Sequence, residues 1–120
     1  MSAPEVIDRA ALNDLLETTG NDPVFLAELI DTYLSDAVAL LAAMQQAVTG
    51  DNTDALRRAA HSLKSNSASL GARALARLCQ EVEQQARLGV LHGASERVAT
   101  MHTLFGDVER ELRALRPAND

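Results

Sequence analysis

Leu56, Leu63 and Leu70 recur at seven-residue intervals, with Ala59, Ala60, Asn66 and Ser67 between them on the same side of a helical wheel. A helix with one such apolar stripe is stable only when the stripe is buried, so this stretch demands packing partners. The rest of the chain is patterned to supply them.

Asp8 can cap a first helix over about 8–19 that holds Ala11, Leu12, Leu15 and Leu16 and stops near Gly20. Asp22-Pro23 pairs an N-cap with a proline at the first helical position, where its missing N–H costs nothing. It opens a second helix over about 23–48, with Leu26, Leu29, Ile30, Tyr33, Ala37, Leu40, Leu41, Met44 and Val48 on a broad apolar face. Gly50-Asp51-Asn52 breaks that helix, and Asp51 or Asn52 can cap the third, over about 52–70. A fourth, over about 72–88, carries Leu75, Leu78, Cys79, Val82 and Ala86. The last, over about 94–115, carries Val98, Met101, Phe105, Val108, Leu112 and Leu115 at steps of three and four, with Pro117 just beyond. Short links make successive helices antiparallel neighbours. Aromatic residues are only 2% of the chain, which suits close helix packing over a sheet. The expected fold is all-α: one domain over 8–115, an antiparallel up-down four-helix bundle with a short additional N-terminal helix as a lid. Residues 1–7 and 116–120 are expected to be flexible ends.

On the third helix His61 lies about 160° from Leu63, on the face opposite the stripe. Arg57 and Arg58 precede it by one turn, Lys64 and Ser65 follow by one turn, and Ala68 by two. Lys64 is the only lysine, and no basic residue occurs between Arg9 and Arg57 in a chain of net charge −6. Positive charge is therefore concentrated around the histidine, with Arg73 and Arg77 placed to extend it. A neutral imidazole is a nucleophile, and a cation one turn away can approach a phosphoryl group on its ring. Small neighbours at Ser62, Ser65, Ala68 and Ser69 leave the ring proud of the surface. Most exposed histidines beside arginines are merely solvated, so pattern alone leaves both readings open.

Ala60-His61-Ser62-Leu63-Lys64-Ser65, followed by Asn66-Ser67-Ala68-Ser69-Leu70-Gly71, resembles the signature of histidine-phosphotransfer (HPt) domains, Ala-His-x-Leu-Lys-Gly, small residues, then Gly. Leu75, Leu78, Cys79 and the pair Val82-Glu83 resemble that family's next helix, and Ser65 departs from its usual glycine. The resemblance implies that His61 is the phosphoacceptor, taking a phosphoryl group from a receiver-domain aspartate and passing it to another receiver. It implies Lys64 as the stabilising cation, with Arg57, Arg58, Ser62, Ser65, Ala68 and Gly71 at the partner interface. The partners would be receiver domains of hybrid histidine kinases and response regulators. No cofactor or metal is expected on this chain, and Mg²⁺ would come with the receiver. The chain would be a carrier, not an enzyme.

Two other classes stand beside it. A non-phosphorylated helical adaptor docking to a receiver or histidine kinase would be expected to lose His61. A histidine hydrolase would need an orienting partner and a pocket, which the sequence does not display. Phosphate loops, Cys-x-x-Cys and His-x-x-x-His spacings and Gly-x-Ser-x-Gly elbows are missing. The acidic balance argues against a nucleic-acid surface. The longest apolar run, Ala37 to Met44, is too short to span a bilayer. Cys79 has no partner for a disulfide and reads as a buried apolar residue, while His92 and His102 read as solvated. A cytoplasmic monomer is expected, either free or the cytoplasmic C-terminal part of a membrane hybrid kinase.

Overall fold

A computed structural model describes residues 6–117. Among them are five helices and no strand: α1 (Arg9–Thr18), α2 (Pro23–Thr49), α3 (Thr53–Ser69), α4 (Arg73–Arg87) and α5 (Ala94–Leu115). Helices α2 to α5 form a closed ring, α3 packing on α4 and α2, and α5 on both α2 and α4. α1 lies against α3.

The starts of α1, α2 and α3 follow from side-chain caps, whereas α4 and α5 begin without one. Asp22 accepts from the Val24 N–H at 2.9 Å ahead of Pro23, and Asn52, not Asp51, caps α3 by accepting from the Ala55 N–H at 3.0 Å. Asp51 instead takes the left-handed conformation that turns the chain, at φ 53°.

The three leucines of the α3 stripe are at most 1% exposed, and Ile30, Met44, Leu75, Val82, Met101 and Leu112 meet them in the same core. On α2 the seam ends on Ala47 with Val48 half-buried, one position earlier than the apolar spacing suggested. Tyr33 of α2 and Ser67 of α3 share a buried hydrogen bond at 2.8 Å, so the polar atoms on this seam are satisfied. Burial pushes the Tyr33 hydroxyl up to about 12 and the Cys79 thiol likewise to about 12, which leaves Cys79 a packed, unreactive side chain.

Both expected loose ends are partly tied down. Ile7 is 3% exposed inside the core, and Arg116 forms a two-pronged ion pair with Asp31, both contacts 2.7 Å. Apolar burial and a bidentate guanidinium pair hold segments that the composition gave no reason to fix. Residues 1–5 and 118–120 of the expected flexible ends lie outside the described residues.

One corner sets the register of the α3–α4 hairpin. Asp8 caps α1 by accepting from Ala10 and Ala11, donates its own N–H to the Gly71 carbonyl at 2.7 Å, and pairs with Arg73 at 2.9 Å. Gly71 sits at φ 81°, and a Cβ there would fall 2.6 Å from the Asp8 carbonyl oxygen. Gly89 has a similar φ of 74° but open space around it. We expect Gly71→Ala to cost roughly 2–4 kcal/mol and Gly89→Ala about 1 kcal/mol, measured as urea midpoints, because only the first adds a clash with fixed backbone to the left-handed strain. Equal losses would remove the special role of the Asp8–Gly71 corner.

Candidate functional site

The turn at residues 70–72 folds α4 back along α3, and reflecting position 61 through residue 72 lands on 83. His61 and Glu83 do meet, with Nδ1 of the imidazole 2.9 Å from Oε2 of the carboxylate. The other carboxylate oxygen accepts from Lys64 Nζ at 2.6 Å, and Arg87, one turn further along α4, reaches Oε2 at 3.3 Å. One carboxylate thus organises three side chains.

Exposure is graded across this cluster. The Glu83 side chain is 5% exposed, Lys64 29% and His61 57%. Burial acts on the Glu83 carboxyl first and upward, but hydrogen bonds from Lys64 and His61, with the Lys64 charge, outweigh it and hold the group below its usual range. Facing an ionised acceptor, the ring carries its proton on Nδ1 and donates it, as the network assigns. Nε2 is then left with a lone pair on the solvent side.

Ser62, Ser65, Ala68 and Arg58 lie exposed on the His61 side of α3, and Arg57 is half-buried. The cations are less free than their clustering suggested. Arg57 and Arg58 both turn back to Asp54, at 3.0 and 3.1 Å, while Lys64 is held by Glu83. Gly71 does not belong with the interface residues: it is buried beneath Asp8, where it fixes a turn and no partner can touch it. His92 and His102 are exposed and distant in role, the His92 carbonyl accepting from Gln85 to hold the α4–α5 loop.

Sequence reasoning placed Glu83 in the resembling helix but gave it no task, and overlooked Arg87. The signal was present. Glu83 follows Cys79 by four and Leu75 by eight, an acid on the edge of a buried stripe, where a carboxylate needs partners. The hydrolase requirement for an orienting group is therefore met, but among the described residues no hydroxyl or thiol hydrogen-bonds the ring, and the ring lies open to solvent. No group of three His, Cys, Asp or Glu residues among the described residues could hold a metal ion.

The Hpt domain family model matches residues 28–117. The chain belongs to the Hpt family. Histidine-containing phosphotransfer protein B (HptB) from Pseudomonas aeruginosa PAO1 has a similar crystal structure, with a TM-score of 0.85 and 34% sequence identity over 96% of each chain. Among curated proteins none matches significantly. Hpt domains are histidine-phosphotransfer modules of phosphorelays that work with receiver domains, and this chain has that role. No helix among the described residues of this Hpt domain is long and apolar enough to cross a membrane.

The Glu83 network makes stability depend on pH. Because the folded carboxyl is held below its ordinary value of 4.5, the unfolded chain binds the proton more readily, and stability rises with pH. The contribution is full above the unfolded value and is lost as pH falls through the folded one. We expect Glu83→Gln to lower stability by about 1–3 kcal/mol at neutral pH and by much less at about pH 3, measured by urea denaturation. A difference that does not shrink in acid would contradict an ionised Glu83.

Proposed function

We propose that this Hpt domain carries its phosphoryl group on Nε2 of His61. It accepts the group from a receiver's aspartyl phosphate and delivers it to the aspartate of a second receiver. The observation that carries this reading is the Glu83 contact, which occupies Nδ1 and leaves Nε2 as the exposed nucleophile.

In the forward step the Nε2 lone pair bonds to phosphorus while the phosphorus–oxygen bond to the donor aspartate breaks, the pair returning to that carboxylate. Nδ1 keeps its proton throughout. Positive charge grows on the ring as the nitrogen–phosphorus bond forms, and the Glu83 carboxylate lies 2.9 Å away to stabilise it. In the reverse sense a receiver aspartate attacks phosphorus and Nε2 leaves as neutral imidazole. No proton has to move, which suits a carrier that must run easily in both directions.

Lys64 begins one turn from His61 and is parked on Glu83. We assign it to the phosphoryl oxygens: a group on Nε2 offers charge-assisted bonds in competition with Glu83. Transfer also needs in-line positioning and cationic help on the equatorial oxygens. Mg²⁺ brought by the receiver would supply that help. The catalytic machinery then belongs to the receiver, and the Hpt chain contributes an oriented nucleophile and a complementary surface of Ser62, Ser65, Ala68, Arg57 and Arg58.

The test is transfer of label from a panel of phosphorylated receivers of the source organism, with Mg²⁺, to wild type and to His61→Gln. We expect acid-labile, alkali-stable label on wild type and none on His61→Gln, with equal circular dichroism because an exposed ring supports no core. Lys64→Ala should slow transfer by about tenfold, or 1.4 kcal/mol, with the fold retained. Label persisting on His61→Gln would sink the assignment, and label on neither protein would favour the non-phosphorylated adaptor.

A further inference from the structure

Beside the His61 cluster runs an open groove between α3 and α4, floored by Ala68 and Ala76 and edged by Lys64, Arg73, Arg77 and Gln80. No acidic residue lines it, although the chain carries 17 Asp and Glu against 11 Lys and Arg. Three other grooves on the surface each hold an acid: one is lined by Asp31, Glu109 and Arg113, another by Asp107, Arg110 and Glu111, and a third by Asp36 without a cation. Of these four grooves, the one with cations and no acid lies beside the His61 cluster.

Its cations are not equivalent. Lys64 is taken by Glu83 and Arg73 by Asp8. Arg77 is exposed and makes no ion pair or side-chain hydrogen bond with any described residue. It reaches the groove from the same stretch of α4 as Glu83, two three-residue steps earlier through Gln80, so the groove continues the site without a break. An unengaged guanidinium above a floor of methyl groups has room for a planar, two-pronged partner.

We infer that this groove is the receiver's second point of contact, and that Arg77 there binds a carboxylate side chain of the receiver. The inference rests on the phosphocarrier reading of His61 and adds a partner feature to it. Ala68 lies seven residues beyond His61, so the acidic side chain sits about 10 Å from the phosphorylated aspartate. Charge complementarity selects the occupant. Three cations on a chain of net charge −6 are too few for a nucleic-acid backbone, and Lys64, shared with the His61 cluster, ties the groove to whatever meets the histidine. A rim contact of this kind raises the encounter rate and selects partners more than it drives chemistry.

Arg77 is thus a specificity residue, and it is separable from His61 by kinetics. Receiver domains of the source organism, charged with acetyl phosphate and Mg²⁺, would be mixed with wild type, Arg77→Glu, Arg77→Ala and Arg110→Glu. The last makes the same charge change on α5, away from the site. For the receiver that labels wild type, we expect Arg77→Glu to lower the second-order transfer constant by about tenfold or more at low salt and to flatten its salt dependence. Arg77→Ala should fall between, and the rate at saturating receiver should stay within about twofold of wild type. Arg77→Glu behaving like Arg110→Glu overturns the groove while leaving the His61 reading intact. A loss confined to the saturated rate overturns it also, because Arg77 would then act on the chemistry. No label on wild type from any receiver removes the phosphocarrier reading and the groove's role with it.

Discussion

A carboxylate placed at the seam between two helices has to be paired, and Glu83 is paired with His61, Lys64 and Arg87 at once. That requirement fixes which imidazole nitrogen faces inward, where the lysine rests, and how α3 and α4 align. The alignment depends in turn on the Asp8–Gly71 corner, because the turn that brings 83 opposite 61 is closed by Gly71 backing onto the Asp8 backbone. α1 is therefore connected to the site through geometry, although it contributes no side chain to the Glu83 cluster.

Charge is distributed on the same principle. Around His61 nearly every cation contacts a carboxylate: Arg57 and Arg58 share Asp54, Lys64 and Arg87 share Glu83, and Arg73 takes Asp8. Three carboxylates thus offset part of the charge of five cations, and Arg77 is left without an anion among the described residues. A partly neutralised rim costs less to desolvate than free cations would and stays positive toward an acidic partner.

Much of this was legible in the sequence, for identifiable reasons. Helix starts at Asp22-Pro23 and Asn52, and the stripes of α2 to α5, follow from capping chemistry and a 3.6-residue period, which are local. The exposure of His61 followed from the same wheel. The roles of Glu83 and Arg87 did not, because they arise from a contact across the hairpin, whose register is set by a tertiary corner. Gly71 misled for a related reason. Its spacing from His61 resembles a surface motif and its positive φ belongs to the local turn that ends α3, whereas its approach to Asp8 appears only when the segment before α1 is in place. Ile7 and Arg116 were legible as residue types but not as anchored ends, since Asp31 lies 85 positions from Arg116.

The central claim is that Glu83 occupies Nδ1 and leaves Nε2 of His61 to carry the phosphoryl group. Phosphorus-31 and nitrogen-15 NMR on histidine-labelled, receiver-phosphorylated protein tests it most directly, through the one-bond coupling that identifies the bonded nitrogen. The account predicts a single phosphorus signal coupled to Nε2 of His61, with Nδ1 still protonated. Coupling to Nδ1, or to either nitrogen of His92 or His102, would contradict it.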